Sequence, residues 1–132
     1  MIDYQKLVDE AFIASQKAYA PYSHYHVGAC VLLKDGKMLH GTNIENAAYG
    51  SSMCAERNAI YQAYCLGYHK EDIVALAIVN EKEPLVSPCG ACRQVLAELL
   101  NSETPIILGC QEYYEVTNIR ELLPYAFTGE NL

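Results

Sequence analysis

The chain has 132 residues, 52% of them hydrophobic and 19% charged, with a formal net charge of −7. That is enough apolar material for a core in one domain over residues 1–132, and too much for a disordered chain. With 9 Lys and Arg against 16 Asp and Glu there is no basic patch for a nucleic-acid partner, and no apolar run is long enough to span a membrane. The polar, acidic opening MIDYQKLVDEAF is unlike a signal peptide, so a cytoplasmic chain with mostly reduced cysteines is expected.

In chain order, residues 3–19 set Leu7, Val8, Ala11, Phe12 and Ala18 at helical spacing, with Pro21 as the stop. VGACVLL and MLHGTN flank Asp35-Gly36 and predict a β-hairpin. NIENAAYGSS reads as loop. SMCAERNAIYQAYCLG predicts a helix with Ser51 or Ser52 as N-cap and Gly67 just past its end. IVALAIVN is a continuous apolar run suited to a buried strand. A helix over Cys89–Leu100 follows Pro88. PIILGC and YYEVT predict two strands whose short link forces them antiparallel, and NIRELLP a short closing helix. The order implies an α/β fold, a three-layer α/β/α arrangement around a mixed five-stranded sheet.

The chemistry gathers around VSPCGACRQVL. Cys89 and Cys92 lie three residues apart at a helix start, which brings them to one face where the helix dipole favours thiolates. Such a pair serves as a redox couple, half a structural zinc knuckle, or two ligands of a catalytic zinc. Cys54 opens the earlier helix in the same way, and two helices that each follow a strand of one sheet can bring their N-termini together. Cys30, Cys65 and Cys110 lie elsewhere and read as small buried hydrophobes. None of His24, His26, His40 and His69 sits at a helix start near the thiols. The count is therefore three protein ligands, the number that leaves a catalytic zinc one open position; a structural site closes with four. Glu56 is a candidate base beside that position, although helical periodicity does not by itself put it on the face of Cys54. Arg57, three residues after Cys54, shares that face and can drain charge from the ligand sulfurs. Asn43 and Glu45, two apart in TNIEN, would face the same way on an extended backbone and could grip a sugar hydroxyl.

CAE followed by PCGAC resembles the signature of the zinc nucleoside deaminases. APYSHYHVGA, GTNIENAAYG, CAERNAI, SPCGACRQVL and ELLPYAF resemble, in order, the successive blocks of the small cytidine deaminases over residues 20–127. The resemblance implies one zinc per subunit on Cys54, Cys89 and Cys92, hydroxide attack on carbon 4 of cytosine, and Glu56 as proton carrier. It implies deamination of cytidine and 2′-deoxycytidine to the uracil nucleosides in pyrimidine salvage. It assigns Arg57 to the ligand sulfurs, Asn43 and Glu45 to the ribose, and Tyr25 and Ala55 to the substrate. Tyr25 and His26 stand where the family usually carries Phe and Pro. The resemblance also implies a homotetramer in which the terminal aromatic, Phe127, helps close a neighbour's site. Three other readings compete: a deaminase of another cytosine nucleoside such as blasticidin S, a zinc-stabilised binding module, which lacks a fourth ligand, and a thiol oxidoreductase using Cys89 and Cys92. A thiol oxidoreductase leaves Cys54 and Glu56 unexplained.

Overall fold

The structure is a computed structural model that describes residues 1–132. Its helices are α1 (Tyr4–Ser15), α2 (Ala55–Cys65), α3 (Gly90–Leu99) and α4 (Ile119–Leu122), and its strands β1 (Val27–Leu33), β2 (Met38–Thr42), β3 (Ile73–Asn80), β4 (Ile106–Gly109) and β5 (Tyr114–Thr117). The strands form one sheet in the order β2-β1-β3-β4-β5. The β3–β4 pair is parallel and every other pair antiparallel, so the expected mixed five-stranded sheet is present.

Alternation along β3 explains why helices cover both faces. Ala75, Ala77 and Val79 point to one side with Cys30, where they meet Leu7, Val8 and Ala11 of α1. Leu76 and Ile78 point to the other, into a larger cluster with Ala59 and Ile60 of α2, Leu96 of α3 and Ile119 of α4. A strand buried on both faces has no polar positions to spare, hence the unbroken IVALAIV. Gly36, at φ 89°, closes the β1–β2 hairpin in a conformation that disfavours other residues.

Three local expectations give way. The first helix ends at Ser15, not near residue 19, because Tyr19 forms a parallel bridge with Ile44 and so needs an extended backbone. The second helix is not capped by Ser51 or Ser52. Met53 pairs antiparallel with Ile44, and the Ser52 hydroxyl accepts the Asn46 N–H at 3.1 Å, so the helix starts later with Cys54 as N-cap. Cys65 is exposed at the end of α2, unlike the buried Cys30 and Cys110. No helix is long and apolar enough to cross a membrane.

Candidate active site

Helices α2 and α3 lie on the same face of the sheet and bring their N-termini together. Asn58 of α2 donates to the Thr42 carbonyl at 2.7 Å and Gln62 to the His40 carbonyl at 3.0 Å, which fixes α2 against β2. Cys54 and Cys89 are the N-cap residues of α2 and α3, and neither side chain caps its own helix. Their sulfurs approach instead to 3.9 Å, and Cys89 and Cys92 to 3.4 Å; all three Sγ atoms lie within 4.8 Å of one another. A tetrahedral zinc with sulfur ligands at about 2.3 Å requires sulfurs about 3.8 Å apart. The trio fits that ion.

Arg57 donates from Nε to Cys92 Sγ at 3.3 Å and from Nη2 to Cys54 Sγ at 3.5 Å. The hydrogen bond with Cys92, and after it the Arg57 guanidinium, bring the Cys54 thiol down to about 5. Cys92, on the other side of that shared proton, is pushed up. A bound dication would deprotonate all three. The same contacts, with Cys54 foremost, hold the Arg57 proton more firmly still. Glu56 is 4% exposed, and burial raises its carboxyl above the usual range.

The sulfurs open onto a cavity of about 330 Å³ whose lining includes Tyr25, Asn43, Glu45, Ala55 and Glu56 together with Cys54 and Cys89. The carboxylate, two of the thiols and the Asn–Glu pair therefore share one space. Asn43 and Glu45 also brace its wall. Asn43 accepts the Val27 N–H at 2.9 Å and donates to the Tyr25 carbonyl at 2.7 Å. Glu45 accepts the N–H groups of Tyr22 and Ser23 at 3.0 and 3.1 Å and the Ser23 hydroxyl as well. The Ser23 hydroxyl, ahead of the two N–H groups, holds the Glu45 carboxyl below its ordinary value. Phe127 stands apart: it does not line this cavity, it is 59% exposed, and its carbonyl accepts from Gln94 at 2.8 Å.

The family model for the cytidine and deoxycytidylate deaminase zinc-binding region matches residues 1–108. A cytidine deaminase of Halalkalibacterium halodurans is 48% identical over 132 residues, covering 99% of this chain and 98% of its own.

The chain belongs to the cytidine deaminase family.

A second cytidine deaminase, from Sporosarcina psychrophila, is 46% identical over 99% of this chain and 96% of its own. The crystal structure of cytidine deaminase from Burkholderia pseudomallei superposes with a TM-score of 0.92 at 43% identity, covering 96% of this chain and all of that one. The matched region is a zinc-binding one, and the three thiols gathered at two helix starts could hold such an ion.

Several cavity residues escape sequence reasoning. Ser23, Asn80, Ser87 and Pro88 all line the space. For Ser87 and Pro88 a signal existed, since they immediately precede Cys89. Asn80 carried none, because nothing local says that the end of β3 reaches the thiols.

Proposed function

We propose that this chain hydrolyses cytidine and 2′-deoxycytidine to uridine and 2′-deoxyuridine, releasing ammonia. The observation that carries this reading is one cavity in which a buried carboxyl, Glu56, stands beside a three-thiol metal site. Zinc held by Cys54, Cys89 and Cys92 supplies a Lewis acid that makes water nucleophilic near neutral pH.

Glu56 takes a proton from the attacking water and delivers it to ring nitrogen 3 as the oxygen–carbon 4 bond forms. The remaining hydroxyl proton then passes through Glu56 to the exocyclic amine. The carbon–nitrogen bond breaks, ammonia departs, and the carbonyl of uracil is left. Burial makes Glu56 a better proton carrier by raising its pKa, while a bound dication would act in the opposite sense. Tyr25 forms a wall for the base, Ala55 contacts the substrate, and Asn43 and Glu45 receive the ribose.

The lining favours a nucleoside over a nucleotide. It contains no Lys, Arg or His, and it carries the Glu45 carboxylate, so a 5′-phosphate would meet an anion and no charge-assisted donor. Neither the cavity nor the net charge of −7 suits a polynucleotide.

We further propose a homotetramer in the cytoplasm. Tyr49 is 77% exposed, Phe127 59% and Tyr125 fully, aromatic surface that a neighbouring subunit could cover. A closed symmetric oligomer buries such surface, with Phe127 covering the base in a neighbour's site. Reduced thiol ligands suit a reducing compartment. The test of activity is the loss of cytidine absorbance with purified protein of known zinc content; no absorbance change at one zinc per chain would refute it. The test of assembly is light scattering together with mixing of Glu56→Gln and Phe127→Ala chains. Recovered activity on subunit exchange is expected, and a fully active monomer would refute the shared site.

A further inference from the structure

Residues 81–88 connect β3 to the first α3 ligand without helix or strand, and no backbone–backbone hydrogen bond reaches any of them. Yet Ser87 and Pro88 form part of the cavity wall next to Cys89. Side chains can hold an unladdered segment in place by supplying bonds that no neighbouring backbone gives. At its start, Asn80 donates to the carbonyls of Lys82 and Pro84. At its end the donor is Arg93.

Arg93 sits one residue after Cys92 and uses three separate nitrogens. Nε donates to the Pro88 carbonyl at 2.8 Å, Nη2 to the Ser87 hydroxyl at 2.5 Å, and Nη1 to the Leu122 carbonyl at the end of α4, also at 2.5 Å. The ion pairs of the chain join His26 to Glu81, His40 to Glu10 and Arg120 to Glu103, so no carboxylate competes for this guanidinium. A planar fork spans acceptors on two segments at once, which the point charge of a lysine does not.

We propose that Arg93 is a positioning residue: it fixes the Ser87–Pro88 segment at the reacting end of the cavity, using α4 as its abutment. Arg93 does not line the cavity, and its hydrogen bonds go to none of the three sulfurs. The C-terminal helix thereby becomes part of the site of its own chain, apart from any role the tail has in a neighbour's. The effect on turnover rests on the deaminase reading above. The physical tie does not, because it is also visible as protection of the 81–88 segment.

The experiment compares Arg93→Gln, Arg93→Lys, Ser87→Ala and the Arg93→Lys/Ser87→Ala double variant. Each is assayed for zinc per chain, for the rate of tryptic cleavage after the exposed Lys82, and for kcat and KM with cytidine. Arg93→Gln should keep its zinc, be cleaved several-fold faster than the parent, and lose about 10- to 100-fold in kcat with a smaller change in KM, since a wall shifted by about 1 Å at the reacting end costs that much. Arg93→Lys should recover part of both losses. The double variant should lose no more than the worse of its two singles, because both substitutions act on one contact. Parent kcat and KM per bound zinc in Arg93→Gln, or unchanged tryptic cleavage, would overturn the proposal. Should Arg93→Gln not fold, multiplicative losses in the double variant would overturn it equally. If the parent itself leaves cytidine unchanged, the deaminase reading fails, and the cleavage rates still decide the role of Arg93.

Discussion

Replacing Gly41 by alanine tests whether α2 is the element that sets the site. A Cβ at Gly41 would lie 2.3 Å from the Ala55 carbonyl oxygen, 2.6 Å from Ala59 N and 2.8 Å from Ala59 Cβ, whereas ordinary contact starts at 3.4 Å. These are backbone atoms or a methyl group fixed to the backbone, so the helix itself must retreat by about 1 Å. Overpacking of this kind costs about 1–3 kcal/mol. At about 4 °C per kcal/mol for a chain of this size, the thermal midpoint should fall by about 4–12 °C. The helix that retreats is capped by Cys54 and carries Glu56 and Arg57 in its first turn. Displacement of a proton carrier by about 1 Å costs up to about 100-fold in turnover. Gly28→Ala is the control, since its Cβ would lie 1.9 Å from the Ala11 carbonyl oxygen and push α1 on the opposite face. It should destabilise at least as much but leave kcat per bound zinc within a few fold. Melting at fixed protein concentration, zinc analysis and initial rates decide the matter. Parent turnover per zinc in Gly41→Ala, or equal activity losses in both variants, would refute the assignment.

Three further outcomes are expected. Glu56→Gln should keep zinc and fold but lose at least about 10,000-fold in kcat, because one carboxylate serves several transfers; initial rates within a few fold of the parent would contradict it. Arg57→Gln leaves the site more negative by one charge, so groups that must shed a proton hold it more tightly; slower turnover and a pH–rate profile displaced to higher pH should result, and an unchanged profile with unchanged rate would sink the idea. Cys54→Ala, Cys89→Ala and Cys92→Ala should each lose metal by elemental analysis while Cys30→Ala and Cys65→Ala keep it, and full zinc in all three ligand variants would exclude the site.

Much of this was legible because hydrophobic periodicity and turn chemistry act locally. The Asp35-Gly36 hairpin, the doubly buried β3 and the helix after Pro88 all lie where their residues put them. The end of α1 and the start of α2 were not legible, because both are set by Ile44, which bridges Tyr19 on one side and Met53 on the other. Glu56 shares a cavity with Cys54 even though residues two apart on a helix face away from each other. The helix rule does not apply to that pair. Cys54 is an N-cap with φ −78° and ψ 154°, still extended, so its side chain is not on the helical screw that carries Glu56. An N-cap side chain leans over the first turn toward the third helical residue, the geometry by which a serine reaches the N3 backbone in a capping box. In α2 the third residue is Arg57, and in α3, capped by Cys89, it is Cys92. The three-residue spacing therefore brings Arg57 to Cys54 and Cys92 to Cys89 for one reason. Each helix gives up its own side-chain cap, and the two freed thiols, together with Cys92, become available to a metal.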